Sequence, residues 1–117
     1  MFRKNDVVYI AGPMSGKSMF NYPKFYGYAG MIEKEWGCKV LNPARQPNGL
    51  TYEEYLRRAM EDVKQATVVV MLEGWAESNG ARQEIREARK RLDVRIIVSE
   101  RELIGALERK LKRENKA

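Results

Sequence analysis

A glutamate one turn into a helix, behind a run of small residues, is the group best placed to do chemistry in this chain. Glu84 closes the stretch Val68 to Glu84, VVVMLEGWAESNGARQE. Val68 to Leu72 is an apolar run rich in β-branched residues, the pattern of a strand buried on both faces. Gly74 ends it, and Ser78, Asn79 and Gly80 are small or capping residues that open a helix. Apolar residues then fall at Ala81, Ile85, Ala88 and Leu92, a helical spacing. The stretch predicts strand, tight loop and helix, with the loop at the carboxyl end of the strand, where open α/β sheets bind ligands. A carboxyl group near a helix N-terminus is favoured in its ionised form, and the ionised form is the nucleophile. The open amides of the same helix end suit a phosphate.

The composition removes most other chemistries. The chain has no His and a single Cys, Cys38. That excludes the usual Ser/His and Cys/His catalysts and makes a transition-metal site improbable. No metal and no cofactor are expected. One Cys permits no internal disulfide and fits a reducing cytosol. With 117 residues the chain has room for one domain with an ordinary core. No apolar run is long enough to span a membrane and Met1 to Asp6 does not read as a signal peptide, so the expected location is cytoplasmic. The net charge of +6 is concentrated after residue 81, where twelve Lys and Arg face seven Asp and Glu. Such a surface suits an anionic partner, but no aromatics are interleaved for base stacking. It reads as the solvated face of terminal helices, and nucleic acid is not an expected partner.

A second stretch, Ala11 to Ser18 (AGPMSGKS), imitates a phosphate-binding Walker loop with Ala for the first Gly. That motif needs a helix starting at the Lys, and Pro23, six residues after Lys17, would interrupt it. No apolar strand ends in an Asp that could hold Mg²⁺. The better reading is a small-residue loop that lets a ligand approach the backbone.

The elements that must position these loops follow in order. Val7 to Ala11 is a short strand. Pro23 suits the first turn of a helix striped by Phe25, Ala29, Ile32 and Trp36 and closed by Gly37. Lys39 to Asn42 is a second strand, and Pro43, Pro47, Asn48 and Gly49 mark a loop. Thr51 and Glu54 have capping-box spacing, so a helix begins there with Tyr52, Leu56, Ala59, Met60 and Val63 on its buried side. The central strand and helix come next, then a strand at Val94 to Val98. Ser99 and Glu102 repeat the capping-box spacing before a helix striped by Leu103, Leu107 and Leu111, with fraying expected beyond Lys112. Alternating strands and helices predict an α/β domain: a single-domain, flavodoxin-like (Rossmann-like) parallel sheet with helices on both faces and strand order 2-1-3-4. That order puts the loops after Ala11 and Leu72 on either side of a switch-point crevice.

Three segments together resemble the nucleoside 2-deoxyribosyltransferase superfamily, particularly its small bacterial and phage-borne members: AGPMSG after the first strand, Asn42–Pro43 after the second, and GWAESNGARQE after the third. The likeness runs from about Val7 to Val98. It implies one domain over residues 1–117 and a glutamate that attacks the anomeric carbon of a nucleoside or nucleotide and displaces the base. Glu84 falls on the nucleophile position. Ser78 and Gly80 fall where the nucleotide-hydrolysing branch holds the 5′-phosphate, with Ala81 beside them. The nucleoside branch tends to carry an acid at the place of Ser78, so a phosphorylated ligand is implied. Gly12, Pro13, Met14, Ser15 and Gly16 would line the base and sugar side. Homo-oligomers, in which a neighbour closes the pocket, are also implied, in the cytoplasm of a bacterium or a phage-infected host.

The chain departs from the superfamily at two helper acids, which are replaced by Ala59 and Thr67. Retaining glycoside hydrolysis usually adds a second carboxyl to the attacking one. Asp62, one turn beyond Ala59, is the available substitute. A nucleotide-binding protein without turnover, sequestering a nucleotide-derived signal, is therefore the alternative, with a P-loop phosphotransferase third. Gly74 and Trp75 could form a lid, or Trp75 a subunit contact. Phe20, Tyr22, Phe25, Tyr26 and Tyr28 divide between base stacking and core or interface. Asn21 and Asn42 either bond the ligand or cap backbone. Arg82 pairs with a phosphate or points to solvent.

Overall fold

A computed structural model describes residues 1–91 and 96–116. The chain runs β1 (Val7–Ala11), α1 (Tyr22–Trp36), β2 (Lys39–Leu41), α2 (Tyr52–Val63), β3 (Val68–Met71), α3 (Asn79–Arg89), β4 (Ile96–Ser99) and α4 (Glu100–Lys116). Short 3-10 turns lie at Ser18–Asn21, Pro43–Arg45 and Trp75–Glu77. The strands form one all-parallel sheet in the order β2-β1-β3-β4. Val8 pairs with Val68 and Ala11 with Met71, so β1 and β3 are central and end level. This is the flavodoxin-like arrangement that alternating strands and helices dictate.

The central strands β1 and β3 divide their side chains between two cores. Val8, Ile10, Val68 and Val70 pack with Phe25, Ala29 and Ile32 of α1 and with Leu103 and Leu107 of α4. Tyr9, Ala11 and Val69 point the other way, onto Ala59 and Val63 of α2 and Ile85 and Ala88 of α3. That alternation is the period-2 geometry of a strand covered on both faces.

Local signals act where the spacing places them. Thr51 accepts from the Glu54 amide at 3.1 Å and Ser99 from the Glu102 amide at 3.2 Å, so both N-caps form. Gly37 ends α1 at φ +67, and its N–H reaches the Glu33 carbonyl.

Several expectations need correction. On α2 only Ala59 and Val63 are buried, while Tyr52 is largely exposed, because the N-terminal half of that helix overhangs a cleft rather than the sheet. Leu111 is exposed, since the last turns of α4 extend past the sheet. The helix itself extends to Lys116. Leu92 and the start of the strand expected from Val94 lie outside the described residues.

Candidate active site between the β1 and β3 tips

A cleft of about 430 Å³ opens at the carboxyl ends of β1 and β3. Its walls are the loop after β1 (Gly12, Pro13, Met14, Ser15, Lys17), the start of α2 (Tyr52, Tyr55), and the segment from Gly74 into α3 (Glu77, Ser78, Asn79, Gly80, Ala81, Glu84). The two loops are fitted to each other. A side chain at Gly12 would place a Cβ 2.7 Å from Leu72 Cβ, and one at Gly74 would reach 3.2 Å from the Pro13 ring. Gly74 also holds φ +90, a left-handed conformation that favours glycine. Gly12 therefore answers to packing between neighbouring strand tips. Gly80 is different: a Cβ there would meet only the Tyr52 hydroxyl, at 3.8 Å, so the fold itself leaves room at that position.

Glu84 forms part of the cleft wall and is 4% exposed. The Tyr9 hydroxyl donates to its carboxylate from β1. Tyr9 is itself completely buried, and a buried phenol needs a partner. Burial pushes the Glu84 carboxyl up to about 8, although the Tyr9 hydrogen bond pulls it down. The helix N-terminus was expected to favour the ionised form, but at this site the cost of desolvation outweighs it. Tyr9 is raised in turn, first by its burial and then by Glu84. Tyr55, half-buried, donates its hydroxyl to Met14 Sδ at 3.0 Å and is also raised by burial, so it stays protonated. Glu77 is an exposed carboxylate on the rim.

The start of α3 carries the second feature. Ser78 is its N-cap, and its Oγ accepts from the Ala81 amide at 3.2 Å. The hydroxyl proton remains available to donate to a ligand. By helix geometry the Asn79 and Gly80 amides have no intrahelical partner and point out of the helix start. Glu84 lies four residues past Gly80, about 6 Å along the helix axis, so a phosphate on these groups would lie between one and two helical turns from it.

The structure thus gathers Glu84, Gly12, Pro13, Met14, Ser15, Gly74, Ser78, Gly80 and Ala81 around one cleft. Other expected site residues lie elsewhere. Gly16 turns outward at φ +78. Asn21 donates to the Pro13 carbonyl at 3.0 Å, which braces the loop from behind. Trp75 packs against the α2/α3 core and borders a different cleft, beside Glu100 and Ile104. Asn42 and Asp62 line a third, next to β2. They are displaced because β2 is the edge strand, on the far side of β1 from β3.

Thr67 sits at the amino end of β3, a strand length from the cleft, and bridges Asp6 and the Val7 amide. Thr67 is not among the residues lining the cleft. Ala59 is wholly buried in the α2/α3 core. The Walker geometry is absent: after Lys17 the chain makes a turn with Met19, Phe20 and Asn21 all at positive φ, and α1 starts only at Tyr22.

Tyr9, Lys17, Tyr52, Tyr55, Glu77 and Asn79 are site residues that the reading of the sequence left out. Tyr9 looks like one more apolar strand residue. The signal that could have exposed it is its alternation with Val8 and Ile10, which turns it towards the face that α3 covers.

Among the described residues no helix is long and apolar enough to cross a membrane, and no group of three or more His, Cys, Asp or Glu is placed to hold a metal. No curated protein matches the chain. A protein-family comparison matches residues 6–98, from just before β1 into β4 and so spanning the whole cleft. On that match the chain belongs to the family described as a domain of unknown function, DUF4406.

Proposed function

We propose that this chain acts on the N-glycosidic bond of a (deoxy)nucleoside 5′-monophosphate or a related nucleotide, as an N-glycosidase or deoxyribosyltransferase-like enzyme. The observation that carries this reading is a buried carboxyl group, held by one buried tyrosine hydroxyl, in a cleft bounded by the open first turn of α3. Glu84 in its ionised form attacks the anomeric carbon. The carbon–nitrogen bond breaks, and its electron pair leaves with the base, which takes a proton from solvent. Water then attacks the glycosyl ester, releases the sugar phosphate and restores the carboxylate; in a transferase a second base takes the place of water. The Tyr9 hydroxyl holds the carboxylate in place and stabilises its charge. Ser78 Oγ and the Asn79 and Gly80 amides receive the phosphate, with the loop from Gly12 to Ser15 against sugar and base. In this reading the chain works as a homo-oligomer in the cytoplasm of a bacterium or phage-infected host.

A second reading is a nucleotide-binding protein without turnover. Two features favour it: burial pushes the Glu84 carboxyl up to about 8, which disfavours the ionised nucleophile at neutral pH, and Ala59 supplies no helper acid. One experiment separates the readings. The protein is incubated with a panel of nucleoside and deoxynucleoside monophosphates and nucleotide signals, and the products are separated by chromatography. Free base is expected, formed faster as pH rises through about 8, where Glu84 ionises, and lost in Glu84→Ala. Tight binding with no product selects the second reading. Mg²⁺-dependent phosphate transfer would overturn both.

A further inference from the structure

Two tyrosines of α2, Tyr52 and Tyr55, line the cleft at Glu84. Three residues apart, they share one face of the helix and reach different walls. The Tyr52 hydroxyl lies at the start of α3, where a Cβ on Gly80 would be 3.8 Å from it. The Tyr55 hydroxyl goes to the loop after β1, to Met14 Sδ at 3.0 Å. With a phosphate at the start of α3, Tyr55 therefore serves the sugar and base end. Glu84 is near enough for its charge to add to the burial that raises the phenol.

Tyr55 is also the cleft hydroxyl with the weakest present acceptor. A thioether sulfur accepts poorly, so a nitrogen or oxygen of a ligand takes this hydrogen bond at little cost. Tyr9 differs, because its hydroxyl is committed to the Glu84 carboxylate.

Its place on the helix connects Tyr55 to the missing helper acid. It stands four residues before Ala59, one turn earlier on the same side. Ala59 is buried in the α2/α3 core, whereas Tyr55 lies where the helix overhangs the cleft. An ionised carboxyl group at this place would set a like charge beside Glu84 and raise it further. A phenol supplies a donor without that charge. Burial, and then Glu84, raise the Tyr55 pKa, so the hydroxyl keeps its proton across the range in which Glu84 ionises.

We propose that Tyr55 is a catalytic residue for departure of the base: its hydroxyl gives a hydrogen bond to the ring nitrogen or oxygen on which charge gathers as the carbon–nitrogen bond breaks. This rests on the N-glycosidase reading above. The electron pair of the broken bond goes to the base, Tyr55 keeps its proton, and the proton that neutralises the base comes from solvent. A fixed donor aimed at developing charge stabilises the transition state more than the intact substrate. Asp62, one turn beyond Ala59, borders a different cleft and takes no part.

The test is the rate of base release at pH 9 from the 5′-monophosphates of deoxyadenosine, deoxyguanosine, deoxycytidine and thymidine, in the parent, Tyr55→Phe, Asp62→Asn and Glu84→Ala. Tyr55→Phe keeps the ring and loses only a bond to a thioether, so its urea denaturation midpoint should stay close to the parent's. Its kcat should fall about a hundredfold, with KM held within about twofold. Asp62→Asn should match the parent. A Tyr55→Phe variant with the parent's kcat overturns the proposal while leaving the N-glycosidase reading intact. So does a change in KM alone, or a loss in Asp62→Asn in place of Tyr55→Phe. Parent protein that releases no base from any of the four removes the reading itself, and the role of Tyr55 with it.

Discussion

Glu84 and Glu100 are two buried glutamates at the same end of the sheet, each near the start of a helix and each bonded to a tyrosine hydroxyl. Burial raises both, yet they end on opposite sides of the ordinary carboxyl value. Glu100 accepts from Tyr28 at 2.6 Å, from the Glu73 amide at 2.8 Å and from the Lys24 ammonium at 3.1 Å. Those donors and that cation overcome its desolvation, and its pKa falls. Glu84 has the Tyr9 hydroxyl, and it rises to about 8. The contrast separates a carboxylate satisfied by its fold from one left under-satisfied beside a cleft. Only the second has capacity to spare for a ligand, which is how perturbed groups come to mark functional sites.

The largest effect expected from this contrast is a gain in stability on removing Glu84's charge. Between pH 4.5, the ordinary carboxyl value, and about 8 the folded chain holds a proton that the unfolded chain has lost. Stability therefore falls as pH rises across that window, and the cost is fully present above it. Glu84→Gln should match the parent near pH 4 and exceed it at pH 9 by roughly 5 kcal/mol. Urea denaturation at both values measures this. Equal stabilities at pH 9 would mean that Glu84 is not desolvated as described.

Glu100 should show the opposite sign. Its folded pKa is lowered, so its contribution is present above the ordinary carboxyl value and is lost as pH falls through the lowered one. Glu100→Ala leaves the Tyr28 hydroxyl and the Glu73 amide without their acceptor, and should cost about 2 to 3 kcal/mol at neutral pH. Lys24 is partly exposed and its share is screened accordingly. A denaturation midpoint unchanged from the parent would remove Glu100 as the structural half of the pair.

The order and kind of the elements were legible because their signals are local. Capping pairs at Thr51/Glu54 and Ser99/Glu102, the Gly37 stop and the apolar runs each act over a few residues. The cleft-forming segments around Gly12 and Ser78 were legible for the same reason, since strand order alone brings them together. What was not legible depends on orientation across the sheet. Tyr9 meets Glu84 only because β1 turns that residue towards α3, a contact between positions 75 apart. Asn42 and Asp62 read as site residues until the edge position of β2 assigns them to another cleft. Glu100 was not singled out at all, because its partners come from α1 and from the loop after β3.

The smallest and most diagnostic change is Tyr9→Phe, which takes one oxygen from a fully buried side chain and keeps its ring in place. A typical internal hydrogen bond is worth about 1 kcal/mol net, so the chain should still fold with a midpoint slightly below the parent's. The titration of Glu84 is what should respond. The Tyr9 bond is the influence that lowers the Glu84 pKa, and without it burial acts alone and the value moves further up. The pH at which stability stops falling should shift in the alkaline direction, and any base release should shift with it. Measuring the Glu84 carboxyl carbon signal against pH in parent and variant checks this directly. A variant that titrates at the same pH as the parent would show that Tyr9 merely fills space, and the distinction would then lie between a Glu84 that has burial alone and a Glu100 whose donors and cation overcome it.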